Sequence, residues 1–309
     1  MRRIKASHPF FAAPALVFVI SVFMVFLQFA NLDTDNEAVI YGVMLILQLV
    51  VFAIPAGAFC FLRGGEYVLK MDIYAPRKHS LGVLLTGSLF VVLTSGVLKF
   101  VFFHFAYDYS VYSLYGSSIT LEVGSFGTGL LMVLSLAIFP ALTEEFVFRG
   151  IIFREYRACG TVFAMLVSSL LFAFVHFDLK LFPIYFILGM LLVWIAFITR
   201  SLWAAVLAHI AYNIYVIFFE KYIWLFSSNP DSDILFWLIL LVLWFICAFF
   251  FLAAAERVMR ACVENGESAP KAVPKGKRKA LYLEALVSRP LLLDAAVFII
   301  MGIIGLFVS

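Results

Sequence analysis

Nine stretches of the chain run for many residues with almost no charge, near 10–30, 38–62, 81–106, 128–148, 161–178, 181–198, 202–219, 234–255 and 291–308. A helix needs about twenty mostly apolar residues to cross a bilayer, so each stretch predicts a membrane-spanning helix. The fifth to seventh are short, and the last follows a long polar segment. The pattern predicts an all-α, multi-pass transmembrane bundle of about eight or nine helices.

The polar segments give the bundle a direction, because Lys and Arg collect on the cytoplasmic side of short loops. Arg2, Arg3 and Lys5 precede the first stretch, whereas residues 31–37 carry no cation. Residues 63–80 hold Arg63, Lys70, Arg77 and Lys78, and residues 107–127 hold Asp108 and Glu122 without a cation. Arg149, Arg154 and Arg157 follow the fourth stretch, Arg200 follows the sixth, and eight cations crowd 256–290. The alternation predicts a cytoplasmic N-terminus and, with nine spans, an outer C-terminus. The expected location is the plasma membrane. The basic start and long apolar run, with no small-residue cleavage site before Asn31, read as a retained signal anchor. Residues 64–80, with Tyr67 and Tyr74, read as an interfacial helix. Residues 263–289, with Pro270, Pro274, Gly266 and Gly276, read as a flexible cytoplasmic tether near anionic lipid heads. Lys99 and Asp294 lie near enough to span ends to snorkel.

Composition excludes a soluble protein. Hydrophobic residues make up 65% of 309 positions and charged residues 13%, against about a quarter charged in soluble domains. The 36 phenylalanines must face acyl chains or pack between helices. Cys60, Cys159, Cys247 and Cys262 lack metal-type spacing and read as reduced thiols. No Walker-type phosphate loop or Gly-x-Ser-x-Gly elbow occurs, and Tyr107-Asp108 has no Gly-x-Gly-Asp partner. Nothing points to a nucleic-acid partner.

Ionisable residues inside apolar runs are expensive and therefore candidates for chemistry. The strongest group is PALTEEFVFRG, Pro140 to Gly150. Pro140 is expected to break or kink the span, and Thr143 to cap the helix that follows. Glu145 and Arg149, four apart, share a face and can pair. Glu144 then lies about 100° around the helix, free to face a cavity. A desolvated carboxylate without a full partner suits proton transfer near neutral pH. Phe172 and His176 share one helix face, and His209 and Asn213 share another. His209 and Asn213 can donate two convergent hydrogen bonds to a developing oxyanion. Taken singly, an intramembrane histidine more often bonds a neighbouring helix, and the Glu-Glu-Arg group also suits an ion-pair network or a transport site.

In order and spacing these elements resemble the CAAX-protease and bacteriocin-processing family of intramembrane proteases. Its Glu-Glu-x-x-x-Arg motif falls on Glu144, Glu145 and Arg149; Phe-x-x-x-His on Phe172 and His176; and His-x-x-x-Asn on His209 and Asn213. The resemblance divides the chain into N-terminal helices (1–127), a catalytic core (128–220) and C-terminal helices with the basic linker (221–309). It implies an intramembrane endopeptidase with a polar cavity. Glu144 would be the general base with His176 as its partner, and His209 and Asn213 would hold the oxyanion. Glu145, Arg149 and Phe172 would be orienting residues. The implied substrate is a membrane-associated peptide or protein, lipidated or not, with lipids as neighbours. Some family members are labelled metalloproteases, and Glu144, His176 and His209 would be the zinc ligands. No His-Glu-x-x-His helix supports a metal, so the favoured reading has no cofactor. The competing expectation is a non-proteolytic immunity factor, scaffold or transporter built on the same core.

Overall fold

The computed structural model describes residues 9–28, 34, 36–69, 71–103, 125–227, 233–266 and 275–308. The cations Arg2, Arg3 and Lys5, together with His8, His104 and residues 107–124, lie outside the described residues. So does Lys271. The described residues form helices and connecting turns, with no strand among them.

Helix α1 is Pro9–Gln28 and α2 is Glu37–Arg63; α3 is the short Glu66–Leu69 and α4 is Leu81–Phe103. Helix α5 is Phe126–Cys159, α6 Thr161–Phe174, α7 Phe182–Thr199 and α8 Leu202–Phe218. Then follow α9 (Glu220–Ser227), α10 (Asp233–Glu264), α11 (Lys275–Leu286) and α12 (Arg289–Val308). Six of the described helices, α2, α4, α5, α7, α10 and α12, are long and apolar enough to cross a membrane; α1, α6 and α8 are shorter apolar helices. The chain is a multi-pass integral membrane protein, and its apolar helices fall where the nine stretches predict them.

Helices α5, α6, α7 and α8 form the centre. Helix α6 packs on α7, α8 on α5, and α4 against both α7 and α8. Helix α10 lies outside α4, and most of its large apolar side chains, such as Ile234, Leu238 and Phe249, face outward. Lipid is the solvent for that face. Helices α1 and α12 pair with each other, and α2 covers the first half of α5.

Local chemistry sets several helix ends. Asn36 accepts from the Ala38 amide at the start of α2, and Ser201 accepts from the Ala204 amide at the start of α8. Gly160, at φ 120°, makes the turn from α5 to α6 in backbone space that disfavours a side chain.

Several expectations are corrected. Pro140 does not break α5, and Thr143 is not an N-cap. A π-helical turn at Leu134–Ile138 precedes the proline, and the Thr143 hydroxyl donates to the Phe139 carbonyl at 2.9 Å. The widened turn lets the chain pass a residue that has no N–H and would clash in a regular helix. The fourth span therefore does not stop near 148; the helix continues to Cys159 through a second π-helical turn, Phe146–Ile152.

The segment 64–80 is not an interfacial helix. After the four-residue α3 it becomes a strap folded across one end of the bundle, here called the basic end. The Leu202 amide donates to the Asp72 carbonyl at 2.8 Å, and the Ser201 hydroxyl donates to the Tyr74 carbonyl. Glu155 receives the Arg63 guanidinium and the Tyr67 hydroxyl, and Arg154 donates to the Tyr67 carbonyl at 2.8 Å. Burial and the Glu155 carboxylate push the Tyr67 phenol above its ordinary range, so it stays a donor.

The tether is also shorter than expected. Helix α10 runs to Glu264, and α11 docks through Tyr282, stacked on Phe163 with ring centroids 4.2 Å apart, and through buried Ala285. Lys99 and Asp294 do not snorkel: they are 6% and 1% exposed. Helix packing encloses positions that distance to a span end alone would leave wet.

Glu155 is the shared acceptor of the strap. Replacing it with alanine removes the partner of both Arg63 and Tyr67, which should lower stability by about 1–3 kcal/mol. Thermal unfolding in detergent should show a lower Tm for Glu155→Ala and a smaller drop for Glu155→Gln.

Candidate active site

The two-glutamate stretch places its carboxylates in different surroundings. Glu145 is fully buried, and its Oε1 accepts from Arg149 Nη1 at 2.7 Å and contacts His209 Nδ1 at 2.8 Å. The expected Glu145–Arg149 pair is present, and His209 joins it from α8. Arg149 Nη2 also donates to the Gly189 carbonyl of α7 at 3.0 Å, and its guanidinium lies 4.6 Å from the centre of the Phe172 ring of α6. One guanidinium thus touches two neighbouring helices besides its own carboxylate partner, and its planar fork suits that geometry.

Gly189 makes this convergence possible. A Cβ there would sit 3.1 Å from Ser169 Cβ and 3.2 Å from Phe172 Cδ1. The missing side chain brings α7 close enough to α6 for its carbonyl to meet Arg149.

Glu144 points elsewhere. It is only half-buried, and with Leu136 and Pro140 it lines one wall of a cavity of about 60 Å³. His176 and Phe172 come from the α6 side, Tyr185 from α7, and His209, Tyr212 and Asn213 from α8. A water needs about 10–15 Å³ measured in this way, so the space accommodates several. The four expected catalytic positions, Glu144, His176, His209 and Asn213, all meet there.

The depth of these residues follows from helix length. Glu144 is fifteen residues before Cys159, and His176 is fifteen after Thr161. At 1.5 Å per residue both lie about 22 Å from the basic end. The strap starts α8 deep in the bundle, with Leu202 packed at the level of Gly150. This brings His209 up to the same layer.

Hydrogen bonds fix which atoms remain for chemistry. His176 Nδ1 lies 2.7 Å from the Phe172 carbonyl, so that nitrogen carries the proton and Nε2 is left as an acceptor. The ring is stacked on Tyr185, with centroids 3.9 Å apart and planes at 24°. His209 spends Nδ1 on Glu145, leaving Nε2. Asn213 Nδ2 donates to the Ala137 carbonyl, in the π-helical turn, at 3.2 Å. The expected pair of convergent donors is therefore partly engaged: one amide N–H of Asn213 and one ring nitrogen of His209 serve neighbouring helices.

Gln48, Tyr185, Tyr212 and Gly189 were absent from the sequence reading. Gln48 of α2 donates to Thr143 at 3.0 Å. Tyr212 carried a signal, being three residues after His209; the others come from helices with no motif of their own.

The described residues hold no group of three His, Cys, Asp or Glu side chains placed to bind a metal ion. Each histidine turns Nδ1 to a fixed partner, and Glu145 is committed to Arg149 and His209. Glu144, His176 and His209 are therefore not grouped as three metal ligands among the described residues, although both histidines keep Nε2.

Residues 126–215 match the sequence profile of the family described as Type II CAAX prenyl endopeptidase Rce1-like. The chain is 26% identical over 226 residues to the membrane-embedded CAAX protease MroQ of Staphylococcus aureus (strain USA300), covering 67% of this chain and 81% of MroQ. It is 33% identical over 91 residues to YdiL of Bacillus subtilis (strain 168), a candidate membrane peptidase by its name. That match covers 29% of this chain and 37% of YdiL. No solved structure matches the chain significantly.

Breaking the buried node exposes one charge without its partner. Glu145→Ala and Arg149→Ala should each lose about 3–5 kcal/mol, whereas Glu144→Gln should keep a Tm near wild type. Thermal unfolding of the three variants in one detergent checks the division of labour between the adjacent glutamates.

Proposed function

From the Rce1-like CAAX protease domain carried by residues 126–215, we infer an intramembrane endopeptidase in which Glu144 and His176 activate a water held between them. The observation that carries this reading is the single cavity lined by Glu144, His176, His209 and Asn213. Water placed there offers one proton to the Glu144 carboxylate and the other to Nε2 of His176. Both acceptors are held in place, one by α5 and one by the Phe172 carbonyl and the Tyr185 stack.

The water oxygen attacks the scissile carbonyl, and its proton passes to Glu144. The oxyanion accepts from the remaining amide N–H of Asn213 and, when the ring is protonated, from Nε2–H of His209. Glu145 orients that ring through Nδ1, as a carboxylate orients a histidine in other hydrolases. Collapse of the tetrahedral intermediate breaks the C–N bond, and Glu144 returns the proton to the leaving amine. The products are a carboxylic acid and an amine, which exchange one proton at neutral pH to give a carboxylate and an ammonium.

The substrate in this reading is a membrane-associated peptide. The name of the matched family points to prenylated CAAX sequences, and that of MroQ to CAAX proteolysis. The test uses purified full-length protein in liposomes with two internally quenched CAAX peptides, one S-farnesylated and one not. Cleavage of either is expected. Glu144→Gln and His176→Ala should each lower kcat by about 10²–10⁴-fold, the usual worth of a general base. Wild-type activity in folded Glu144→Gln would remove the mechanism.

A further inference from the structure

Outside the cavity, the described interior contains another buried ion pair deep in the bundle. The Lys99 ammonium of α4 meets the Glu220 carboxylate at the start of α9, with each side chain 7% exposed. Removing two charges from water is expensive, and well-packed apolar residues of similar volume often serve stability as well or better. Holding two helices together does not by itself account for such a pair. Ionisable residues at membrane depth are functional candidates by default.

Its place in the fold supplies a role. One turn before Lys99, the Ser95 hydroxyl lies 3.3 Å from the Tyr212 hydroxyl, and both residues are buried. Tyr212 stands in the cavity wall between His209 and Asn213. Eight residues later, where α8 ends at Phe218 and Phe219 interrupts the helix, Glu220 takes Lys99. Helix α4 therefore holds α8 at Tyr212 and holds the chain again at Glu220, two residues past the end of α8 at the start of α9.

A contact within a helix and a second just past its end together restrict both its rotation and its axial shift. On its other side, α8 carries His209 and Asn213 toward the cavity. Side-chain atoms lie about 6 Å from a helix axis, so a 10° rotation moves them about 1 Å. A misplacement of about 1 Å can lower a rate by about 100-fold.

We propose that Lys99 and Glu220 are positioning residues, which lock α8 against α4 and hold His209, Tyr212 and Asn213 in register with Glu144 and His176. The proposal rests on the hydrolase reading, since it gives the lock a reaction to serve.

The test is full-length Lys99→Met/Glu220→Met protein in liposomes, assayed with the quenched CAAX peptides. Single replacements remove one partner from a buried pair and tend to destabilise, so the double variant decides. The expected result is a Tm at or above wild type and a kcat lowered by about tenfold or more, with KM within about twofold. Lys99→Arg/Glu220→Asp should restore kcat. A readout independent of turnover is disulfide formation between Leu136→Cys and Asn213→Cys, with the four native cysteines replaced by alanine; its rate should change when the Met pair is introduced. A folded double variant with wild-type kcat and an unchanged cross-linking rate would overturn the proposal. If Glu144→Gln is inactive while the double variant behaves as wild type, only the lock fails. If Glu144→Gln cleaves normally, or no peptide is cleaved, the hydrolase reading fails, and the cross-linking rate still reports whether the pair sets the cavity wall.

Discussion

A single carboxylate oxygen, Oε1 of Glu145, organises the centre of this protein. Arg149 and His209 both converge on it, and Arg149 extends the contact to the Gly189 carbonyl and the Phe172 ring. Helices α5, α6, α7 and α8 are tied to one point inside the membrane. Lipid offers no hydrophobic drive to press helices together, so polar contacts and close packing have to do so. Because the charge is matched within the protein, the adjacent Glu144 is released to face a cavity. The pairing of one glutamate makes the freedom of the other possible.

The two π-helical turns of α5 serve the same end. Each widened turn lies beside a carbonyl that a neighbouring helix uses: Ala137 receives Asn213, and Phe148 receives Ser168 at 2.8 Å. Irregular backbone is tolerated at membrane depth where the surrounding protein satisfies it. Here the irregularity admits Pro140 and lets α5 continue past Arg149, long enough to carry Glu144 to the layer occupied by His176.

Much of this was legible in the sequence. Apolar run length located the helices, and the cost of charge in lipid singled out Glu144, Glu145, Arg149, His176 and His209. Helical spacing also separated the surroundings of the two glutamates, because the four-residue step to Arg149 survives in the folded helix. The rest depends on contacts between distant residues. A proline ordinarily signals a break, and nothing local shows that a π-helical turn absorbs it. Lys99 read as a polar residue near a span end, and Glu220, far from it in sequence, drew no reading of its own. Residues 275–286 read as a tether because their charge is local, whereas the Phe163 ring that receives Tyr282 lies on another helix. The partner of His209 was missed for the same reason: Glu145 already had a sufficient partner four residues away.

Asp294 carries a consequence for biogenesis. It sits inside the apolar helix α12, which packs against α1 at the opposite end of the chain. A lone carboxylate at the centre of a helix penalises insertion by up to about 2.5–3.5 kcal/mol. Until its neighbours pack around it, α12 is an apolar segment with one polar defect on its surface. Helix α12 thus depends on the helices packed around it, α1 among them, for the shelter of its carboxylate. A substitution that loosens the packing of α12 would turn this sheltered acid toward the bilayer, where a charge is costly.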